Sequence, residues 1–375
     1  MSKKAAATAT VTAADLFKDL TSIIGENADA ASIRGWLDTG LPELNYALGG
    51  SYKRGAPMGR FIEIFGAASS GKTFIATMLM KSAQDMGGIA FFSDHERSFS
   101  PEFADTLGLN IDPTVFKHLR PETFEDSIEA FKRVAPMVRE KGLPIEVPLI
   151  WVFDSVAAMI PRSLLYEKKG NAIVRRESAD ANMRDKLQLA TCTSVHYPVL
   201  KQFAEDYNVT VVMLNQIRMD PGVMFGNPEK TPGGKSGEFY ADIRANLGKK
   251  DITNGKKGPE REVVGFEITA NVIKNKVARP FRKAMWQVRF HDELGVYVDR
   301  ITTMVNFLIR SNILDKDPSG RVEWEGRKIF ATVLIKELEA DDKGIEKLMT
   351  LVDDEKLEKA KSKEVVYDGS EESDS

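Results

Sequence analysis

The chain has 375 residues, 42% hydrophobic and 29% charged, enough to bury one large α/β domain with smaller appendages. Its net charge of −3 is uneven: residues 351–375 hold nine acids against four lysines, leaving the remainder slightly positive, which excludes a uniformly acidic or basic protein. One cysteine, Cys192, excludes an internal disulfide and fits a reducing cytoplasm, and no apolar run has the length of a signal-peptide core or a membrane span.

In chain order, residues 13–25 place Leu16, Phe17, Leu20, Ile23 and Ile24 at helical spacing. A short amphipathic helix at a terminus needs a surface to cover its apolar face, on its own domain or on a neighbouring subunit. A glycine-rich lead (Gly40, Gly49, Gly50, Gly55, Gly59) then runs into an apolar strand at 61–65. Residues 66–73 read Gly-Ala-Ala-Ser-Ser-Gly-Lys-Thr, the G-x-x-x-x-G-K-T phosphate loop of nucleotide triphosphatases. Gly66 and Gly71 allow a turn tight enough to aim backbone N–H groups at one anion, and the helix that follows adds its positive end. Lys72 supplies a cation for the outer phosphates and Thr73 a hydroxyl for magnesium; Ala67, Ala68, Ser69, Ser70 and Phe74 complete the nucleotide-binding stretch.

Further apolar strands are expected at 89–93, 149–154, 209–214, 263–271 and 284–290, with helical segments between them, the alternation of a mostly parallel sheet covered by helices. Several end in chemistry. Strand 149–154 closes on Asp154, an acid suited to magnesium; such an acid also caps turns, and it gains weight from the phosphate loop because two strands must converge on one metal. Strand 89–93 runs into Asp94-His95-Glu96, where Glu96 is either a general base beside a γ-phosphate or a solvated turn acid. Strand 209–214 ends at Asn215-Gln216, whose carboxamide can sense a phosphate oxygen. The four histidines (His95, His118, His196, His291) have no metal spacing, and Cys192 reads as a small buried residue.

The stretch 217–240 contains five glycines, three prolines and the apolar Met219, Met224 and Phe225. It reads as a long structureless loop suited to wedging between nucleotide bases. The stretch 161–183, with Lys168, Lys169, Arg175 and Arg176, reads the same way. After 295 come a helical stretch at 301–311, a turn at Asp317-Pro318-Ser319-Gly320 and a helix near 331–338, enough for a small α+β module. The last twelve residues, with five acids and no base, read as a disordered acidic tail.

Taken in order, the blocks LDTGLPELNYALGG, PMGRFIEIFGAASSGKT, DSVAAMIP, LNQIRM, GVMFGNPE, GGKSGEFYADIR and VIKNKVARPF resemble the RecA family of homologous-recombination ATPases over roughly residues 13–340. The resemblance implies an α/β fold: a RecA-type phosphate-loop core with a mostly parallel sheet, an N-terminal helical oligomerisation segment and a small α+β C-terminal domain. The expected division is 1–45 for polymerisation, 46–292 for the ATPase core with its DNA loops, 293–350 for the C-terminal domain and 351–375 for the tail. It implies a cytoplasmic, DNA-dependent ATPase using ATP and Mg2+, acting in recombination, repair and the damage response. It would coat single-stranded DNA as a helical homo-oligomer and pair that strand with duplex DNA. The alternatives are an ATP-gated DNA coat without strand exchange and, in another class, a small-molecule kinase, for which no acceptor pocket is recognisable.

By the same resemblance Glu96 is the catalytic glutamate, Asp154 the magnesium-associated acid and Gln216 the γ-phosphate sensor. Lys274 and Lys276 reach toward the neighbouring subunit's ATP, and Phe239 is the interface aromatic that links nucleotide state to filament state. Arg218, Met219, Met224, Phe225, Gly233 and Gly234 fall in the second DNA loop, Arg175 and Arg176 in the first. The adenine side departs from the family's D-P-x-Y stretch: here it is Ser100-Pro101-Glu102-Phe103, with Phe103 able to stack and Ser100 a weaker acceptor. The second loop departs at Asp220-Pro221, an acid and a stiff residue near the DNA path.

Overall fold

The computed structural model describes residues 32–176, 183–219, 229–291 and 295–353. By contacts within the chain, residues 34–375 form one unit and residues 1–33 another. The expected helix at 13–25, Met224, Phe225, Asp220-Pro221 and the final acidic residues lie outside the described residues.

Nine strands form one sheet: β1 (Phe61–Gly66), β2 (Ile89–Asp94), β3 (Phe116–Leu119), β4 (Leu149–Asp154), β5 (Val209–Gln216), β6 (Ile243–Thr253), β7 (Val263–Asn275), β8 (Lys283–His291) and β9 (Gly295–Val298). Their spatial order is β9-β8-β7-β6-β1-β5-β4-β2-β3. The six strands from β6 to β3 pair in parallel, and β7, β8 and β9 continue antiparallel. Every residue of β1 and β4 is buried, as expected where helices cover both faces of a parallel sheet. One face packs Ile62, Ile64 and Val212 against Ile75 and Leu79 of helix α1 (Lys72–Asp85). The other packs Phe61, Trp151 and Phe153 against Phe131 of α3 (Phe124–Glu140) and Leu200 of α4 (Met183–Asp206); the short α2 (Pro101–Thr106) lies between α1 and α3 in sequence.

Consecutive parallel strands must end on the same edge of a sheet. Register fixes this here: Gly66 of β1 lies beside Gln216 of β5, and Asp94 of β2 beside Asp154 of β4. The four chemistry-bearing strand ends therefore converge.

Two expectations of irregular structure are corrected. The stretch 161–183 carries a helical turn at Arg162–Leu165 and a hairpin pairing Tyr166–Lys169 with Ala172–Arg175, closed by Gly170 at φ 65°. The stretch 217–240 is anchored at both ends: Arg218–Met219 pairs with Glu229–Lys230, and its exit is the short helix α5 (Ser236–Tyr240). Strand β6 has no counterpart among the strands expected from the sequence, because Gly248, Lys249 and Lys250 interrupt its apolar pattern. Beyond β9, α6 (Arg300–Arg310) and the helices Ala331–Glu339 and Gly344–Met349 close over a separate apolar cluster containing Phe307, Leu334 and Leu348.

Candidate active site

The turn from β1 into α1 is possible because of its glycines. A Cβ on Gly66 would stand 2.4 Å from the Leu247 carbonyl oxygen and 2.8 Å from Ser70 Oγ, and Gly71, at φ 88°, opens α1. Lys72 curls back: its Nζ donates to the carbonyls of Ala67 (2.8 Å) and Gly66 (3.1 Å). Burial holds its pKa below the ordinary lysine value, against the opposing pull of Asp154 and Glu96. Ser70 Oγ is buried with no hydrogen-bond partner.

Thr73 Oγ1 donates to Asp154 Oδ2 at 3.1 Å. Asp154 is buried at the end of β4, and burial, then the nearby Glu96, push its pKa up to about 7. The N–H groups of His95 and Glu96 donate to the Asp154 carbonyl at 2.6 and 3.1 Å, clamping the end of β2 to the end of β4. The Glu96 carboxylate accepts from Gln216 Nε2 at 2.7 Å and from Ser155 Oγ, both on Oε1. Two donors on one oxygen fix the direction of the carboxylate. His95, beside Ser127 Oγ at 3.1 Å, has its pKa pushed down to about 4 by burial and then by Arg97, so it is neutral near pH 7.

Ser70, Lys72, Thr73, Glu96, Asp154 and Gln216 line one end of a cavity of about 490 Å³. Its other end is apolar: Phe103, Leu107, Phe266, Ile268, Phe290 and Tyr297. Phe103 is where the sequence places it. Ser100 does not line this cavity. Its Oγ accepts from Phe103 N (3.1 Å) and donates to Glu102 Oε2 (3.0 Å), so it caps α2. The wall from β7, β8 and β9 was not identified from the sequence, where Phe266, Ile268 and Phe290 look like ordinary inward residues of strands. A larger cavity, about 650 Å³, lies against Leu41, Trp286 and Phe307 and contains none of the phosphate-loop residues.

The donor set suits a polyphosphate with a divalent cation. An unpartnered hydroxyl (Ser70), a desolvated ammonium (Lys72) and a carboxyl group whose pKa burial raises to about 7 (Asp154) each gain a counterpart from such a ligand. Among the described residues no three His, Cys, Asp or Glu side chains gather as a metal-binding group.

Lys274 and Lys276 are elsewhere. Lys274 Nζ donates to the carbonyls of Glu238 and Phe239 (3.0 Å for the latter), capping α5. Lys276 Nζ stands 3.8 Å from Asp242 Oδ1. Phe239 is 66% exposed. The second loop is tied to the nucleotide side through Asn215, whose Nδ2 donates to the Pro232 carbonyl and to Glu63 Oε1, both at 3.0 Å. Glu63, buried in β1, also pairs with Arg244 Nε at 2.6 Å. Gly233 and Gly234 have positive φ, and Thr193 Oγ1 donates to the Gly233 carbonyl at 2.6 Å. Arg218, Met219, Arg175 and Arg176 are exposed, with Arg175 3.5 Å from Glu122 Oε1.

Comparison with known proteins gives one consistent result. Residues 18–295 match the family model described as the RecA N-terminal domain. The protein RecA of Caldanaerobacter subterraneus subsp. tengcongensis is 35% identical over 283 residues, covering 76% of this chain and 73% of that one. The RecA of Thioalkalivibrio sulfidiphilus is 34% identical over 280 residues (75% and 72%), and that of Chlamydia muridarum 33% over 306 residues (82% and 77%).

Proposed function

Because the chain belongs to the RecA family, and is thus an ATP-dependent DNA recombinase and DNA-dependent ATPase, we propose that it coats single-stranded DNA as a helical filament with ATP at each subunit junction and exchanges that strand with homologous duplex. The observation that supports this reading best is the convergence of Lys72, Thr73, Asp154, Glu96 and Gln216 on one cavity, with Asn215, the neighbour of Gln216, bonded to the second loop at Pro232. The reaction is cytoplasmic in this reading; no helix among the described residues is long and apolar enough to cross a membrane.

Each residue has a task. Gly66 to Thr73 wrap the phosphates, and Lys72 leaves its loop carbonyls for the outer oxygens. Thr73 and Asp154 would hold magnesium, which supplies positive charge against the phosphate oxygens. Glu96, aimed by Ser155, orients and deprotonates the attacking water. Phe103 stacks on the base. Gln216 exchanges its bond to Glu96 for one to the γ-phosphate, and the adjacent Asn215 passes the change to Pro232 and the loop carrying Arg218, Met219, Met224, Phe225, Gly233 and Gly234. Arg175 and Arg176 contact the DNA backbone from the hairpin. Residues 1–45 serve polymerisation, with Phe239 and the lysines Lys274 and Lys276 on the face that meets the neighbour's ATP.

Holding DNA stretched with side chains between its bases costs stacking energy; phosphate contacts and ATP-dependent subunit contacts offset it, and base pairing reads the sequence. The test is ATP hydrolysis with and without single-stranded DNA, then joint-molecule formation with homologous duplex in the same buffer. Stimulated hydrolysis with joint molecules is the expected result. Stimulation without joint molecules would leave an ATP-gated coat, and no stimulation would defeat the reading.

A further inference from the structure

Asp242, at the entrance to β6, is 3% exposed yet surrounded by more partners than its own burial requires. Its Oδ2 accepts from the Phe61 N–H at 3.2 Å and its Oδ1 from Lys201 Nζ of α4, which already satisfies a buried carboxylate. Lys276 is added twice: its N–H donates to the Asp242 carbonyl at 2.9 Å, and its Nζ lies 3.8 Å from Oδ1 while the side chain stays 45% exposed. Lys274, two residues away on the same strand end, is held separately, its Nζ donating to the carbonyls of Glu238 and Phe239. A lysine stem gives up rotamer freedom when fixed. A fixed anion beside Lys276 lowers that cost before any ligand arrives.

We propose that Asp242 is a positioning residue for Lys276: it holds the backbone N–H through its carbonyl and the ammonium through its carboxylate, so that the Lys276 ammonium stands ready, beside Lys274, for the phosphates of a nucleotide bound by a second copy of the chain. The inference rests on the reading that Lys274 and Lys276 act across the subunit junction. It adds a residue with no contact to any nucleotide in its own cavity. The competing role is structural: through Phe61, Asp242 could merely secure the start of β1 and so serve its own subunit's phosphate loop.

Mixing experiments with the full-length protein on single-stranded DNA separate the two. Asp242→Asn keeps an acceptor for the Phe61 N–H and removes the charge. It should lower kcat for ATP about 10- to 100-fold, the scale of a misplaced catalytic group, with KM for ATP within about twofold of wild type. An excess of Lys72→Ala protein, inactive in its own site but with intact lysines, should restore turnover per Asp242→Asn subunit. Lys274→Ala protein mixed in the same way is the control. If Lys274→Ala is rescued and Asp242→Asn is not, Asp242 acts within its own subunit and the proposal is overturned; an unchanged kcat overturns it as well. If Lys274→Ala itself is not rescued in confirmed mixed filaments, the cross-junction reading has failed and the proposal falls with it. Should Asp242→Asn not fold, Asp242→Glu, which displaces the charge by one methylene, carries the same test with the same two overturning results.

Discussion

Lys72 and the pair Lys274 and Lys276 stand in two parts of the chain, and these differ in how much of a site each contains. Around Lys72 everything is local: the ammonium is buried on its own loop carbonyls, the metal-side pair Thr73 and Asp154 is already hydrogen-bonded, and Glu96 is aimed by two donors. Around Lys274 and Lys276 nothing of that kind is present: the two rest on α5 carbonyls and on Asp242. Neither lines the nucleotide cavity of its own chain. The first arrangement can bind a nucleotide unaided, whereas the second makes sense only when another surface is brought to it. If the second half acts on a nucleotide as proposed above, that nucleotide belongs to another copy of the chain, and head-to-tail assembly becomes a condition of catalysis.

The strongest test of that contrast is Lys72→Ala. It removes the buried ammonium from the complete half and should cut turnover by a factor on the order of 10³ with the fold intact. Steady-state hydrolysis and circular dichroism check both halves of the statement; near wild-type turnover would mean that the phosphates are bound elsewhere. Glu96→Gln comes next. It preserves the shape and the bonds from Ser155 and Gln216 but cannot accept the proton, so turnover should fall by roughly 10² or more while ATP affinity holds. A direct nucleotide-binding titration decides this, and lost affinity with unchanged turnover per bound ATP would remove Glu96 from the chemistry.

How legible this contrast is in the sequence follows from distance along the chain. The phosphate loop is eight contiguous residues whose spacing the local backbone dictates, so it is readable without a fold. Asp154, Glu96 and Gln216 are readable one step later, because parallel strands end on a common edge. The antiparallel wall is not: Phe266, Ile268 and Phe290 alternate as any half-buried strand does, and only the register against β6 and β9 shows that one side faces a ligand. Asp242 is hidden for a related reason, since an acid just before a strand reads as a turn until Phe61, Lys201 and Lys276 are found around it from positions 34 to 181 residues away. Strand β6 itself was obscured by Gly248 and its two lysines, and the paired ends of 217–240 by the loop's glycines and prolines.

A smaller effect probes the readiness of the complete half through protons. In the nucleotide- and metal-free protein the Asp154 pKa is raised to about 7 by burial and by Glu96. The folded state then holds a proton that the unfolded chain releases near its ordinary value of 3.8. Stability of the free protein should therefore decline as pH rises from about 4 to about 7 and level off above, the slope following the difference in bound protons. Asp154→Asn should flatten that part of the curve. Binding of ATP with magnesium restores the carboxylate, so about half a proton should be released near pH 7, measurable by calorimetry in two buffers of different ionisation heat. An equal binding heat in both buffers would contradict it.

The smallest effect concerns the apolar end of the cavity, where the chain offers a surface and few polar groups. Ser100 is occupied: its hydroxyl caps α2 through Phe103 N and reaches Glu102. Ser100→Ala should thus cost about 1 kcal/mol of local helix stability and leave the ratio of KM for ATP to KM for GTP unchanged. Phe103, 44% exposed on the cavity rim, offers a ring face that any base can use. Phe103→Ala should raise KM for both nucleotides about 2- to 10-fold, the range of one aromatic contact, and again leave their ratio unchanged. Parallel KM measurements with the two triphosphates decide the matter. If Ser100→Ala shifts the ratio, the hydroxyl leaves its cap on nucleotide binding and reads the base directly, and the adenine side would belong with the preformed chemistry of the phosphate loop. If the ratio holds in both variants, discrimination between bases must come from groups outside this pair, and the chain's own half of the site is committed to phosphate rather than to base.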